Sequence, residues 1–127
     1  MATARVPTNI GANLLKDTYT VLGSEVAGDV LVDFPITMSA MLPYGGFVLS
    51  ADAAMTATVK ITKVGLDGVE TDLKTGIAVS TSETPVLPAG TVLKPGEKLR
   101  LVAEVGLTAE AGKTITIVVH PITVFEE

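Results

Sequence analysis

The run from Leu87 to Val105 constrains this chain more than any other stretch. Its sequence is LPAGTVLKPGEKLRLVAEV. Pro88 and Pro95 lie close together, and glycines follow at Gly90 and Gly96. A proline inside a helix removes a hydrogen bond and clashes with the preceding turn, at a cost of roughly 3 kcal/mol each. Two such breakers leave turn, short strand, turn and long strand as the local grammar. The long strand keeps a two-residue rhythm. Leu99, Leu101, Ala103 and Val105 point one way, and Lys98, Arg100 and Glu104 point the other. One apolar face and one wet face are what an antiparallel sheet with a single covered side requires.

The same rhythm recurs along the chain. Tyr19 and Val21 alternate with Thr18 and Thr20 in a strand expected over 17–22, and Gly23-Ser24-Glu25 makes a turn. Val30, Val32, Phe34, Ile36 and Met38 share one parity, while Pro35 falls on the other. Proline cannot donate to a ladder, so this strand lies at an edge or carries a bulge. Phe47–Ala51 is a short strand. Met55, Ala57, Val59 and Ile61 are expected inward, with Thr56, Thr58, Lys60 and Thr62 outward. Gly65-Leu66-Asp67-Gly68 then closes a hairpin onto Val69–Leu73, because Asp-Gly tolerates the positive φ of tight turns. Thr75-Gly76 interrupts that strand, Ile77–Val79 resumes it, and a polar loop covers 80–84. Gly106–Gly112 reads as a loop or a single helical turn. The final strand, Thr114–Phe125, is apolar on both parities, so it is central between layers or buried at a subunit contact. The total is roughly eight strands, one about every 10–12 residues, and the expected fold is an all-β antiparallel sandwich.

Length and composition fit one such domain. The chain has 127 residues, 47% of them hydrophobic, yet only 4% aromatic and 18% charged. Its mean hydropathy is +0.50. Val, Ile, Leu, Ala and Thr therefore supply the core, and the β-branched members suit pleated sheets. Such hydrophobicity also suits apolar surface reserved for other subunits. Two segments carry apolar residues outside any strand pattern. Residues 1–16 form an expected N-terminal arm ahead of a sandwich domain at 17–127, either a disordered terminus or, as its four large aliphatics favour, an extended arm with Val6, Ile10, Leu14 and Leu15 as anchors laid over a neighbour. Met41-Leu42-Pro43-Tyr44-Gly45-Gly46 reads as an apolar loop. It either contacts a partner through Met41, Leu42 and Tyr44 or tucks under the end of a sheet.

Catalytic and metal-binding constellations are thin. The chain has no cysteine, hence neither a disulfide framework nor a thiolate nucleophile or ligand. His120 is the single histidine; it sits beside Pro121 in an apolar strand, with no nucleophile placed to pair with it. Asp67, Glu70 and Asp72 gather at the hairpin turn, but they lack the ligand spacing of a calcium loop. The glycines belong to turns and form no phosphate-binding signature. No catalytic, cofactor or metal residue is assigned. A net charge of −5 with nine scattered basic residues argues against nucleic acid. No run of 18 or more apolar residues exists to cross a membrane as a helix, and the start lacks the apolar stretch of a signal peptide. Synthesis and retention in a cytoplasm is the expectation.

The phrase Pro88–Leu101 (PAGTVLKPGEKLRL), preceded by the hairpin of Ala57–Leu73, resembles the small jelly-roll virion proteins of tailed phages, a class that includes head decoration or cement proteins. The likeness covers roughly 47–125 in style. The resemblance implies a jelly-roll-like, non-enzymatic homo-oligomer, a trimer by preference, whose partner is the major capsid protein. It would be made in the host cytoplasm and carried on the capsid exterior, where it stabilises the lattice. A receptor- or carbohydrate-binding module of a phage tail or bacterial surface assembly, reading its ligand through Tyr44, is the alternative.

Overall fold

A computed structural model describes residues 15–36, 40–42, 46–85, 91–119 and 122–123. Eleven strands appear among them: β1 (Leu15–Thr20), β2 (Val30–Pro35), β3 (Ala40–Leu42), β4 (Phe47–Ala51), β5 (Val59–Val64), β6 (Glu70–Ile77), β7 (Thr84–Pro85), β8 (Thr91–Leu93), β9 (Lys98–Ala103), β10 (Thr114–Val119) and β11 (Ile122–Thr123). The one helical element among the described residues is a 3-10 turn, Thr108–Glu110, where a single helical turn was one of two expectations.

Every pairing is antiparallel. One four-stranded sheet has the order β1-β10-β4-β7 and the other β2-β9-β5-β6. A small third sheet, β11-β3-β8, extends one end. The two larger sheets face each other as a sandwich. Phe34 on β2 meets Phe47 on β4 across the gap, edge to face, with ring centroids 6.1 Å apart. Around them Leu49, Ile115 and Ile117 from one sheet join Ile61, Leu99 and Leu101 from the other in one continuous core. Leu42 and Leu93 of the small sheet belong to that core as well.

The doubly apolar final strand finds its explanation in this order. β10 lies between β1 and β4, with Ile115, Ile117 and Val119 fully buried inward and Thr116 and Val118 half-buried outward. The β5–β6 hairpin closes as its turn chemistry requires: Gly65 N–H donates to Val69 O, Gly68 N–H donates to Gly65 O, and Gly68 has φ +82°.

Several expectations are corrected. β1 spans Leu15–Thr20, where a strand was expected over 17–22. The even parity of β2 is broken by a register shift between Val30 and Val32, so Leu31 and Val32 are both buried. β5 starts at Val59; Met55 is buried from within a loop, and Thr62, expected outward in water, is fully covered. β6 runs unbroken through Thr75-Gly76. β9 stops at Ala103, leaving Val105 43% exposed where a core residue was expected.

The Pro95-Gly96 turn is held from two sides. Gly96 N–H donates to Ile36 O, and Ile36 N–H donates to Glu97 O. Gly96 has φ +91°, and a Cβ there would stand 2.7 Å from Leu66 Cδ2. Gly96→Ala should therefore lower stability by about 1–2 kcal/mol, mostly from the left-handed backbone, since the Leu66 tip can swing aside. Urea unfolding, read as a shift in midpoint at constant slope, measures it.

Candidate functional site

Strand direction gives the sandwich two unlike ends. At the first, residues 20–30, 51–59 and 103–114 converge. Gly28 N–H donates to Ala103 O, Leu107 N–H to Glu25 O, Ala103 N–H to Asp29 O, and Gly112 N–H to Val21 O. These bonds lace the loop after β1 to the loop after β9. They place Leu22, Val26 and Val105, at 62%, 57% and 43% exposure, at the same end of the sandwich.

Two buried carboxylates build that end. Glu25 is almost fully covered and accepts from the Tyr19 hydroxyl, from Leu22 N–H at 2.8 Å and from Gly23 N–H at 2.9 Å. Burial alone would push its carboxyl up. The Tyr19 hydroxyl and the backbone N–H groups together outweigh burial and hold it below the ordinary carboxylate range. The same contact, added to the larger effect of burial, pushes the Tyr19 phenol up. Glu110, equally covered, accepts from Lys113 Nζ at 2.6 Å and from Ala57 and Thr56 N–H at 2.8 and 3.1 Å. The Lys113 ammonium is the main reason its carboxyl also lies low. Lys113 in turn donates to Ala54 O at 2.8 Å, so one ion pair pins the 54–57 segment to the 3-10 turn. Across the three converging segments five carboxylates (Glu25, Asp29, Asp52, Glu104 and Glu110) face a single cation, Lys113.

The second end carries the small sheet, the β5–β6 turn and the Pro95-Gly96 turn. Leu66 and Val69 are 71% and 58% exposed, and Leu66 reaches over Gly96. Val92, 47% exposed, lies nearby, its carbonyl accepting from Lys63 Nζ at 3.5 Å. Lys63, Lys94 and Lys98 balance Asp67, Glu70 and Glu97 here. Leu15 pairs with Val119 at this same end, so residues 1–14 attach to the sandwich here.

Between the ends, the outer face of the β2-β9-β5-β6 sheet is a polar row. Arg100 stands between Asp33, at 3.5 Å, and Glu70, at 3.7 Å; Thr62 donates to Glu70 at 2.9 Å, and Lys60 meets Asp72 at 3.1 Å. The Arg100 Nε–Asp33 separation is that of an ion pair without an aligned hydrogen bond. Asp67 caps its own turn by accepting from Val69 N–H at 3.0 Å. The three turn carboxylates thus have separate protein partners, and no group of three or more potential metal ligands occurs among the described residues.

Of the residues expected to touch a partner, Val6, Ile10, Leu14 and Tyr44 lie outside the described residues, as does His120. Leu15 is placed in β1. Met41 and Leu42, expected in a loop, form β3 instead. Met41 is half-buried between Val92 and Ile122, and Leu42 is fully buried against the core, so Leu42 presents no side-chain surface to a partner. Three residues between Ser39 and Pro43 are too few to show a period. The exposed aliphatics of both ends escaped sequence reasoning because they sit singly, Val92 in the short β8 and the others in turns and loops. Val105 was readable only as a continuation of β9. Compared with known proteins, the chain matches no family model, no curated protein and no solved structure.

Proposed function

We propose that this chain is a structural virion protein, a decoration or cement subunit that binds the outer capsid lattice as a homo-oligomer, with a trimer favoured. The observation that carries the reading is the distribution of exposed aliphatics. Leu22, Val26 and Val105 sit at one end and Leu66, Val69 and Val92 at the other, while a charged row covers the face of a sheet between them. A subunit that adheres at its ends and stays wet on its flank suits packing among siblings on a lattice. Apolar burial at about 25 cal/mol per Å² supplies the adhesion, and repetition by symmetry multiplies a weak contact into avidity.

Strand order supports the jelly-roll part of this reading. Setting aside the short β3, β8 and β11, the eight remaining strands renumber in chain order. The two sheets then read 1-8-3-6 and 2-7-4-5. That order agrees with the nested pairing expected of a double-sheet jelly roll, an architecture shared by viral capsid domains, and so supports this reading. The fold alone does not specify the job, because jelly rolls serve many.

Co-sedimentation with capsids of the phage that encodes the chain tests the proposal. Saturable pelleting is the expected result, with occupancy reduced several-fold by Leu66→Ser combined with Val69→Ser, both sites being too exposed to matter to the core. Protein that stays in the supernatant at every concentration overturns the reading.

A further inference from the structure

We infer that the acidic, apolar end of the sandwich, where the converging loops carry Leu22, Val26 and Val105 together with Asp29, Asp52 and Glu104, is the docking site for the N-terminal arm of a second copy of this chain. The inference deepens the reading of the protein as an oligomeric subunit, but it stands or falls separately from capsid binding.

Three observations carry it. The first is chemical fit. Residues 1–14 contain Val6, Ile10 and Leu14 at four-residue intervals, together with Arg5 and no carboxylate. The receiving end offers three exposed aliphatics, and besides the buried Glu25 and Glu110 its three segments carry Asp29, Asp52 and Glu104, while their one lysine is already paired with Glu110. An apolar segment with a cation complements that surface, whereas the charge-balanced end bearing Leu66 and Val69 offers no such bias.

The second observation is reach. Fourteen residues span at most about 46–50 Å when extended. A six-residue strand such as β1 covers about 20 Å. An arm leaving one copy can therefore run the full length of a neighbour's strands and still leave residues to anchor. The third is direction. β1 is an edge strand, and Leu15 is already in register with Val119 at the end opposite Leu22. Residues 1–14 thus join the sandwich at the far end from the site. A return to the chain's own site would demand a full reversal immediately before Leu15. A neighbour whose acidic end lies beside this copy's Leu15 end receives the arm without one.

The site is also built to hold still. Glu25 and Glu110 pin the loops that present Leu22, Val26 and the 54–57 segment, so a docking segment meets a preformed surface.

The absence of native cysteine makes disulfide trapping in the full chain unambiguous. Ile10→Cys made in isotope-labelled protein is mixed with unlabelled Val26→Cys and oxidised, and the cross-linked peptides are identified by mass spectrometry. Leu66→Cys serves as an equally exposed control at the other end. The expected result is a several-fold excess of labelled-to-unlabelled 10–26 linkage over 10–66 linkage, falling as salt is raised because surface charges are screened. Equal trapping at both ends, or none at Val26→Cys, overturns the inference. So does a 10–26 linkage that forms only within one chain in the Ile10→Cys/Val26→Cys double variant and not between mixed chains. Capsid co-sedimentation of the uncrosslinked protein reports on the other proposal and is unaffected by these outcomes.

Discussion

Glu25→Ala is expected to lower the unfolding free energy by about 3–4 kcal/mol, because three donors lose their acceptor together and each stranded buried donor costs about 1–3 kcal/mol. Those donors are the Tyr19 hydroxyl and the N–H groups of Leu22 and Gly23. Water reaches the two backbone groups in part, which keeps the sum toward the lower bound. Tyr19→Phe removes one of the three and should cost about 1.5–2 kcal/mol, as befits a hydrogen bond to a charged acceptor. The pair also leaves an alkaline signature. The folded phenol is less acidic than the unfolded one, so its contribution is whole below the unfolded value of 10.0 and is lost as pH rises beyond it. Tyr19→Phe should erase that alkaline loss while leaving neutral-pH unfolding cooperative. Denaturation midpoints across pH 7–11 measure both effects. An alkaline limb that persists unchanged in Tyr19→Phe would contradict the assignment. Since Glu25 fixes the loop bearing Leu22 and Val26, its removal should also weaken trapping of the arm.

The contrast between what was legible in the sequence and what was not follows from range. Leu99, Leu101 and Ala103 on β9 could be oriented because a two-residue period is a local signal read against one core, whereas β10, apolar on both parities, showed that it was covered but not which of its faces pointed inward. The Asp67-Gly68 turn was equally local. The bulge between Val30 and Val32 was not, since a register shift inserts one residue without changing composition; parity holds through Val32, Phe34 and Ile36 and fails only ahead of the shift, where Leu31 is buried. Glu110 falls in a stretch that reads as a loop or a single helical turn. Nothing near it in sequence shows that Thr56 and Ala57, more than fifty positions earlier, donate to its carboxylate. The acidic end has the same character. Its aliphatics come from turns after β1 and β9, and only the strand order brings those turns together.

Glu110→Ala is expected to cost about 3 kcal/mol, near the lower bound for breaking a buried ion pair, because Lys113 remains a quarter exposed and water screens its orphaned charge. The loss has a local consequence beyond stability. Without Glu110 the Thr56 and Ala57 N–H groups have no acceptor, and Lys113 alone, through Ala54 O, ties the 54–57 segment to the 3-10 turn. Glu110→Gln separates charge from geometry: an amide oxygen can still accept from the backbone, but it cannot neutralise Lys113. It should cost less than Glu110→Ala at neutral pH. The carboxyl of Glu110 is more acidic in the folded chain than its ordinary value of 4.5, and Glu25 shares that direction. Each therefore contributes fully above that value, and the contribution drains away as pH falls through the depressed folded range. Protonated Glu110 resembles glutamine in shape and charge. The stability gap between the wild-type chain and Glu110→Gln should consequently close as pH is lowered below about 4.5, while the wild-type chain itself weakens through Glu25 as well. Urea midpoints measured from pH 7 down to pH 3 give the comparison. Two curves that remain parallel over that whole range would show that Lys113 gains nothing from the Glu110 charge. The pinning of the 54–57 segment would then rest on the neutral hydrogen bonds alone.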